Sequence, residues 1–247
     1  MKCLQNPLPD GCRLPPRTRL IAKTLFTSVL ALSGLAITPA QADGPGRGDT
    51  AHFEQDYLTF IIDHHYSALR MTELAAGTDA QRDPAVENPQ EGTSPTPGTA
   101  ATPPKAGMED IKSMARMGNR MQREEIVKAQ MFLRDWYGAN HTPTLRPEAQ
   151  QTIQQLEQAA TGAQFEQAFL QLFSNHHYQA VTRSVDCQVK SDNDHHQLKE
   201  YCEGIVHSQV RDINEMRERL CKQFSVCFFQ PGNGASTNIA ASATLRR

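Results

Sequence analysis

The chain has 247 residues, of which 38% are hydrophobic and 21% are charged, and its formal net charge is -2. A charge so near neutral argues against a nucleic-acid-binding protein, which usually has a strong basic excess. One long apolar stretch is too few for a polytopic membrane protein. The composition also excludes collagen-like and wholly disordered chains, and the length suits one large domain or two small ones.

The first 42 residues have the pattern of a secretory signal peptide. A basic segment precedes an apolar run from Leu25 to Ile37, and Ala40-Gln41-Ala42 then supplies a small-x-small cleavage site. A membrane anchor is the less favoured interpretation, because it would need about 20 apolar residues. We therefore expect residues 1–42 to be removed on export. The mature protein is expected to be periplasmic or secreted, with no attachment to the membrane.

Four cysteines follow the signal segment, and all of them lie in the C-terminal half: Cys187, Cys202, Cys221 and Cys227. An even number of cysteines in an exported chain predicts disulfide bonds. Three pairings are possible, and the sequence alone does not choose among them. Pairing of cysteines that are close in the sequence, which closes the shortest loops, favours Cys187–Cys202 and Cys221–Cys227.

Helical periodicity dominates the remaining chain and predicts an all-α fold. Helices are expected at about residues 50–76, 108–137, 147–162, 163–189 and 195–224. On the first helix, Asp56, Asp63 and Arg70 recur at seven-residue steps opposite the apolar stripe, so we expect them in solvent. His195 and His196 begin the last helix and are also expected to be exposed.

Two segments lack helical periodicity. Residues 78–106 contain six prolines among threonine, glycine and alanine, which predicts a disordered or extended insertion at the tip of the first hairpin. Residues 229–247 are rich in small and polar side chains and predict a disordered tail. Between the signal peptide and this tail, residues 43–228 are expected to form one domain.

An internal repeat is the strongest signal in the sequence. Phe53–Leu69 aligns without a gap with Phe165–Val181, and eight of the seventeen aligned residues are identical, including a His-His-Tyr triplet. The helices that follow align more weakly, with Gln122 opposite Gln209. Each copy is thus a helical hairpin, and two hairpins predict a four-helix bundle with one short connecting helix.

The repeat places two histidine pairs on helices, His64-His65 and His176-His177. Neighbouring residues lie about 100° apart on a helix, and both members of each pair are expected to face packed surface. A buried imidazole is costly unless it has a hydrogen-bond partner or a metal. Gln122 and Gln209 are possible partners, so a structural role and metal binding both stay open.

Methionines supply a second type of soft donor. Met71 follows the first histidine pair on its own helix, Met216 lies on the last helix, and Met114, Met117 and Met121 follow one side of the second helix. Imidazole and thioether together suit copper, particularly Cu(I), although a methionine stripe is also common in an ordinary core. The predicted metal ligands are His64, His65, Met71, His176, His177 and Met216.

Motifs for catalysis are missing from the sequence. Glu-x-x-His, which di-iron bundles use, does not occur, and neither do His-Glu-x-x-His, Gly-x-Ser-x-Gly or a phosphate-binding glycine loop. We therefore expect a binding protein and not an enzyme.

At the repeated histidines the chain resembles a bacterial family of exported proteins of unknown function in the ferritin-like superfamily, which includes CopM-type copper-binding proteins. The family pattern is a His-His pair, an alanine three residues after it and a methionine three residues further, followed on the partner helix by glutamine, an acidic residue with isoleucine, and methionine. The matching residues are His64, His65, Ala68, Met71, Gln122, Glu125 and Ile126 in the first repeat, and His176, His177, Ala180, Gln209, Asp212, Ile213 and Met216 in the second.

Each repeat departs from the family pattern at two methionines. The family has a methionine three residues before the histidine pair, where this chain has Ile61 in the first repeat and Phe173 in the second. Arg183 stands where the second repeat would have the counterpart of Met71, and Ala129 stands where the first would have the counterpart of Met216. The resemblance implies a ferritin-like bundle that binds or buffers copper, with a metal ion as its partner and no known protein partner. The alternative is an envelope interaction protein or chaperone-like helical protein whose histidines are structural.

Overall fold

The computed structural model describes residues 46–87, 92–191 and 195–232, all within one compact unit. The predicted signal peptide, residues 1–42, lies outside the described residues, as does most of the predicted tail, residues 229–247. The described chain forms five helices and no strand: α1 Asp49–Ala76, α2 Glu109–Tyr137, α3 Pro147–Gln158, α4 Ala163–Lys190 and α5 His196–Phe224. The all-α prediction is confirmed.

The helix boundaries follow from local sequence. Gly138 ends α2 with a left-handed backbone (φ 62°, ψ 17°), and its N–H donates to the Arg134 carbonyl, as is common at helix ends. Pro147 begins α3, where its missing N–H costs no helical hydrogen bond. The helix α3 ends at Gln158, four residues before the predicted end at Gly162.

The helices pack as two hairpins. The helix α1 packs mainly along α2, and α4 mainly along α5; the hairpins join through α1 and α4, and α3 lies against both of these helices. The helices α1 and α4 have 28 residues each, and α2 and α5 have 29 each. This is the predicted four-helix bundle with a short connecting helix.

The apolar core is divided into two clusters near opposite ends of the bundle. One contains Met71, Phe169 and Met216, and the other contains Tyr57 and Phe132. Along α2, α4 and α5, a polar stretch separates the residues of the two clusters. The buried polar residues of this region include His64, His65, Asn119, Gln122, His176, His177 and Gln209. We call these residues the polar layer.

The side of α1 opposite its apolar stripe is largely covered, which contradicts the prediction for two residues. Asp63 is buried, and its Oδ1 accepts a hydrogen bond from the Thr144 N–H and lies 2.7 Å from His141 Nε2. Arg70 is buried too, and it donates to the Ala100 carbonyl and pairs with Glu157 of α3. Helical periodicity shows which face is polar, but it does not show that a further layer of chain covers that face.

The proline-rich insertion lies against the helices in its described parts. In its described parts, residues 78–87 and 92–106 form irregular chain that packs on the bundle, with Thr93, Ser94 and Thr96 buried. Arg123 of α2 donates to the Ser94 hydroxyl and to the Gly92 carbonyl, each at 3.0 Å. Hydrogen bonds from α2 therefore anchor the described part of the insertion to the bundle.

Both disulfides favoured by short-range closure are present. Cys187–Cys202 joins the end of α4 to the start of α5 with a Cα–Cα distance of 6.3 Å, and Cys221–Cys227 closes the end of α5 at 4.1 Å. Among the described helices, none is long and apolar enough to cross a membrane.

Removing the disulfides should destabilise the protein in proportion to the chain that each one closes. The sequence separations are 15 residues for Cys187–Cys202 and 6 residues for Cys221–Cys227. Loop-closure entropy then gives losses in the free energy of unfolding of about 3 kcal/mol for Cys187→Ala/Cys202→Ala and about 2 kcal/mol for Cys221→Ala/Cys227→Ala. Urea unfolding of the two variants beside the parent protein measures both losses. A larger loss for the short loop would contradict this ranking.

Candidate functional site

The four histidines of the repeated pairs are buried at the middle of the bundle. The exposed fractions are 4% for His64, 0% for His65, 6% for His176 and 1% for His177. Neighbouring positions on a helix point about 100° apart, so the two members of each pair reach different surroundings. The first histidine of each pair faces the other hairpin, and the second faces the partner helix of its own hairpin.

His64 and His176 meet where α1 packs against α4. Their rings stack with centroids 3.6 Å apart and an angle of 14° between the ring planes. The centroid of the Phe60 ring lies 5.2 Å from that of His64. Burial lowers the pKa of both histidines well below its usual value, and the neighbouring imidazoles lower it further. Both rings are therefore neutral at neutral pH, the form in which an imidazole nitrogen can bind a metal.

His65 and His177 each face a carboxylate on the partner helix. His65 Nε2 lies 2.9 Å from Glu125 Oε2, although the two atoms are not aligned for a hydrogen bond. His177 Nε2 lies 3.7 Å from Asp212 Oδ2. Burial tends to raise the pKa of Asp212, but His177 and Arg211 outweigh it, and the net pKa is below its usual value. The Asp212 side chain is therefore a carboxylate at neutral pH.

Six imidazole nitrogens in this layer are buried and form no hydrogen bond of good geometry, although the nearby Gln179 side chain opposes part of the lowering of the His64 pKa. They are Nδ1 and Nε2 of His64, Nδ1 and Nε2 of His65, Nε2 of His176, and Nδ1 of His177. The Oε1 atoms of Gln122 and Gln209 are also buried without a partner, so these oxygens do not accept the histidine hydrogen bonds that the sequence suggested. An unsatisfied buried polar group costs about 1–3 kcal/mol. The layer is thus short of partners.

The present ring orientations do not form a ready chelate. Within residues 46–87, 92–191 and 195–232, no three His, Cys, Asp or Glu side chains group closely enough to hold a metal ion. The lone pairs of His64 and His176 lie in nearly parallel planes, because the rings stack, and they do not point to a common centre. The donor atoms therefore fit a metal by type and by their lack of partners, whereas convergence on one ion requires the rings to turn.

The two predicted methionine ligands lie in the same apolar cluster. Met71 and Met216 are fully buried there, and the Ser174 hydroxyl lies 3.6 Å from the Met216 sulfur. Met71 is two helical turns beyond His64, or about 10 Å along the axis. The structure thus joins His64 to His176 in one contact and Met71 to Met216 in one cluster.

A cavity of about 310 Å³ opens over the stacked rings, between α1, α3 and α4. His64 and His176 line it, together with Phe60 and Leu172. Neither Met71 nor Met216 lines it. The cavity gives the stacked imidazoles space in which to change orientation, and it connects them with the surface of the protein.

A second, smaller cavity of about 180 Å³ lies between α2 and α5. Met114, Met117 and Met121 line it, and so does Asp212, whose carboxylate faces His177. The spacing of three and four residues already places these methionines on one side of α2 in the sequence. What the sequence does not show is that this side of α2 borders the carboxylate of α5.

One buried histidine is missed by sequence reasoning. His195 is buried, contrary to the prediction, because its Nδ1 pairs with Glu54 Oε1 at 2.6 Å and its ring stacks on Trp136; His196 is exposed as predicted. Glu54 also accepts a hydrogen bond from the Tyr137 hydroxyl. The one available signal was that glutamate recurs at this position in both repeats, as Glu54 and Glu166.

The fold and the polar layer together define a histidine-bearing helical bundle of two similar hairpins. Residues 99–220 match the family described as "Domain of unknown function (DUF305)". The chain therefore carries a DUF305 domain, which confirms the family that the sequence resembles. The matched region begins after α1 and contains α2 to α4 and most of α5, so it includes the second histidine pair and not the first.

The chain is similar to three solved structures, each of a protein named CopM. "CopM in the Ag-bound form (by co-crystallization)" has 18% sequence identity, the match covers 69% of this chain and 97% of that chain, and the TM-score is 0.49. "CopM in the Cu(II)-bound form" has 17% identity, coverage of 67% of this chain and 93% of that chain, and a TM-score of 0.48. "CopM in the Cu(I)-bound form" has 17% identity, coverage of 68% of this chain and 94% of that chain, and a TM-score of 0.46. No curated protein matches the chain.

The depressed pKa values of His64 and His176 should make the metal-free protein less stable in mild acid. In the unfolded chain both residues titrate near the ordinary pKa of 6.5 and take up protons that the folded protein does not bind. As the pH falls below about 6.5, each histidine should remove up to about 1.4 kcal/mol of unfolding free energy per pH unit.

Urea unfolding between about pH 7.5 and pH 5 in the presence of a chelator measures the slope of the unfolding free energy against pH. A His64→Asn/His176→Asn variant should have a shallower slope. A His207→Asn variant, changed at an exposed position on α5, should keep the parent slope. Equal slopes in all three proteins would show that the buried pair does not cause the pH dependence.

Proposed function

We propose that this protein binds copper through the buried histidines of its polar layer, outside the cytoplasm, and that it acts as a metal-binding or buffering protein and not as an enzyme. The observation that carries the proposal is the set of six buried imidazole nitrogens without hydrogen-bond partners. A purely structural role for these histidines would require each ring to be satisfied within the core. A bound ion would satisfy several of them at once.

The carboxylates beside His65 and His177 support the same proposal. Histidines that bind metals commonly direct their second nitrogen to a carboxylate, which orients the ring and raises its basicity. Here Nε2 of each residue faces an acid, Glu125 or Asp212, and Nδ1 is buried without a partner. The free Nδ1 atom is therefore the one that would bind the ion in both hairpins.

The type of donor favours copper over harder ions. Neutral imidazole suits copper and zinc, and thioether sulfur favours Cu(I) in particular, whereas Mg²⁺ and Ca²⁺ require oxygen ligands. His64, His65, His176 and His177 would supply the imidazoles, and Met71 and Met216 remain the predicted sulfur ligands. The metal would link the two hairpins through groups that already lie at their contact.

Two observations support a location outside the cytoplasm. Cys187–Cys202 and Cys221–Cys227 are disulfides, which persist in oxidising compartments. The pattern of residues 1–42 is that of a signal peptide for export. Together they favour the periplasm or secretion as the place where the protein would meet copper.

Copper titration of the disulfide-bonded protein tests the proposal directly. Binding of Cu(I) and Cu(II), measured by competition with a coloured chelator, should show a lower stoichiometry in His64→Ala/His176→Ala than in the parent. A matched control is His196→Ala/His207→Ala, which removes two exposed histidines from α5 and should bind as the parent does. Far-UV circular dichroism establishes that each variant is folded.

Equal stoichiometry in the parent and in folded His64→Ala/His176→Ala would contradict the assignment of these histidines. It would favour the alternative, an envelope interaction or chaperone-like protein with structural histidines. Loss of binding in the control pair instead would place the ion at the exposed histidines of α5.

Glu125, whose carboxylate faces His65, should strengthen copper binding without itself binding the ion. Glu125→Gln is expected to weaken copper binding by about 10–100-fold at unchanged stoichiometry, the usual cost of losing such a group. Asp212→Asn should weaken it less, since its oxygen lies 3.7 Å from His177, compared with 2.9 Å for Glu125 and His65. Glu124→Gln, at the neighbouring exposed position, is the control. Equal affinities of Glu125→Gln and Glu124→Gln would argue against this role.

A further inference from the structure

The cavity over the stacked imidazoles has a cationic lining. Arg146, which precedes α3, and Arg183 of α4 both line it, and their guanidinium carbons lie 5.3 and 5.1 Å from the centroid of the Phe60 ring. Among the described residues that line this cavity, Glu148 is the one acid. The residues that line this cavity therefore have one net positive charge, which a monoanion would balance. Asp56 borders the same two arginines from an adjoining groove and does not line this cavity.

The two arginines differ in whether their guanidinium groups already have a carboxylate partner. Arg146 Nε donates to Glu148 Oε1 at 2.5 Å, so one of the arginines at this cavity already binds a carboxylate. Arg183 forms no ion pair with any residue in the described part of the chain, and its Nε is buried without a hydrogen-bond partner. An unpaired buried donor on a charged group is costly. A carboxylate in the cavity would satisfy it, and guanidinium groups favour this anion because two parallel hydrogen bonds can form.

The rest of the lining favours an organic anion over an inorganic one. Phe60, Leu172 and Ala149 contribute apolar surface, and His64 and His176 lie at the inner end as uncharged rings. At about 30 Å³ for each water-sized group, a cavity of about 310 Å³ holds a ligand of roughly ten non-hydrogen atoms.

We propose that this cavity is a binding site for a small organic monocarboxylate, whose carboxylate pairs with Arg183 and whose apolar part lies against Phe60 and Leu172. The site stands on the arginines and the cavity, and it does not depend on bound metal. It has a chemistry distinct from that of the polar layer, although His64 and His176 border both.

Benzoate and benzamide test the proposal, because they have nearly the same shape and differ in charge. With both disulfides formed and with a chelator present, calorimetric titration should show saturable 1:1 binding of benzoate and binding of benzamide at least about tenfold weaker, the effect of one charged hydrogen-bonded pair. Arg183→Gln should bind benzoate about 10–100-fold more weakly than the parent.

Two further variants separate the site from the general charge of the protein. Glu148→Gln should bind benzoate more tightly, because it removes the carboxylate that competes for Arg146. Arg120→Gln removes an exposed arginine of α2 that pairs with Glu124, and it should bind as the parent does. Saturable, charge-dependent binding that follows these variants supports the proposal.

Three outcomes would overturn the proposal: no saturable benzoate binding, equal affinity for benzoate and benzamide, or full affinity in Arg183→Gln. Weaker binding in Glu148→Gln would contradict the placement of the carboxylate beside these arginines. Because the chelator removes metal, none of these results depends on whether the histidines bind copper.

Discussion

The stacked contact between His64 and His176 is the constraint around which this bundle is arranged. The two hairpins join through α1 and α4, and at mid-length that contact consists of polar rings where an ordinary bundle would have aliphatic side chains. The rings are 3.6 Å apart and nearly parallel, and they are almost completely buried. Stacking of neutral rings recovers some dispersion energy, but it leaves in-plane nitrogens unsatisfied. The core is accordingly divided into two apolar clusters by a layer that is short of partners, and such layers are uncommon unless they have a use.

Residues that align in the sequence repeat make related contacts in the two hairpins. Glu54 of α1 pairs with His195 at the start of α5, while Glu166 of α4 accepts hydrogen bonds from the backbone N–H groups of Gly107 and Met108 at the start of α2. Each glutamate thus reaches the beginning of a helix in the other hairpin. A negative charge is favourable at a helix N-terminus. The two glutamates therefore hold the hairpins together at the ends, as the histidines do in the middle.

The sequence predicts most of the fold because the helices are long, amphipathic and punctuated by Gly77, Gly138 and Pro147. Burial of the histidine pairs was predictable for the same reason. The coverage of Asp63 and Arg70 was not, because it depends on α3, the loop before it and the proline-rich segment, which bring their own polar groups to that face. The lack of hydrogen-bond partners at the histidine nitrogens could not be predicted either, because it depends on ring rotations and on distances between helices. A periodic sequence pattern does not contain this information.

Arg183 occupies the position of the second repeat that corresponds to Met71 of the first, and it gives the second repeat a different chemistry. A soft uncharged donor would extend a copper site, whereas a guanidinium repels an approaching cation and attracts an anion. The cavity thus has a cationic side at Arg146 and Arg183 and an uncharged, nitrogen-bearing side at His64 and His176. A carboxylate held by the arginines would offset their charge at the imidazoles, and a cation at the imidazoles would in turn attract the carboxylate. Binding at the two sides of one cavity would then be mutually favourable, by the reciprocity that governs any coupled pair of ligands.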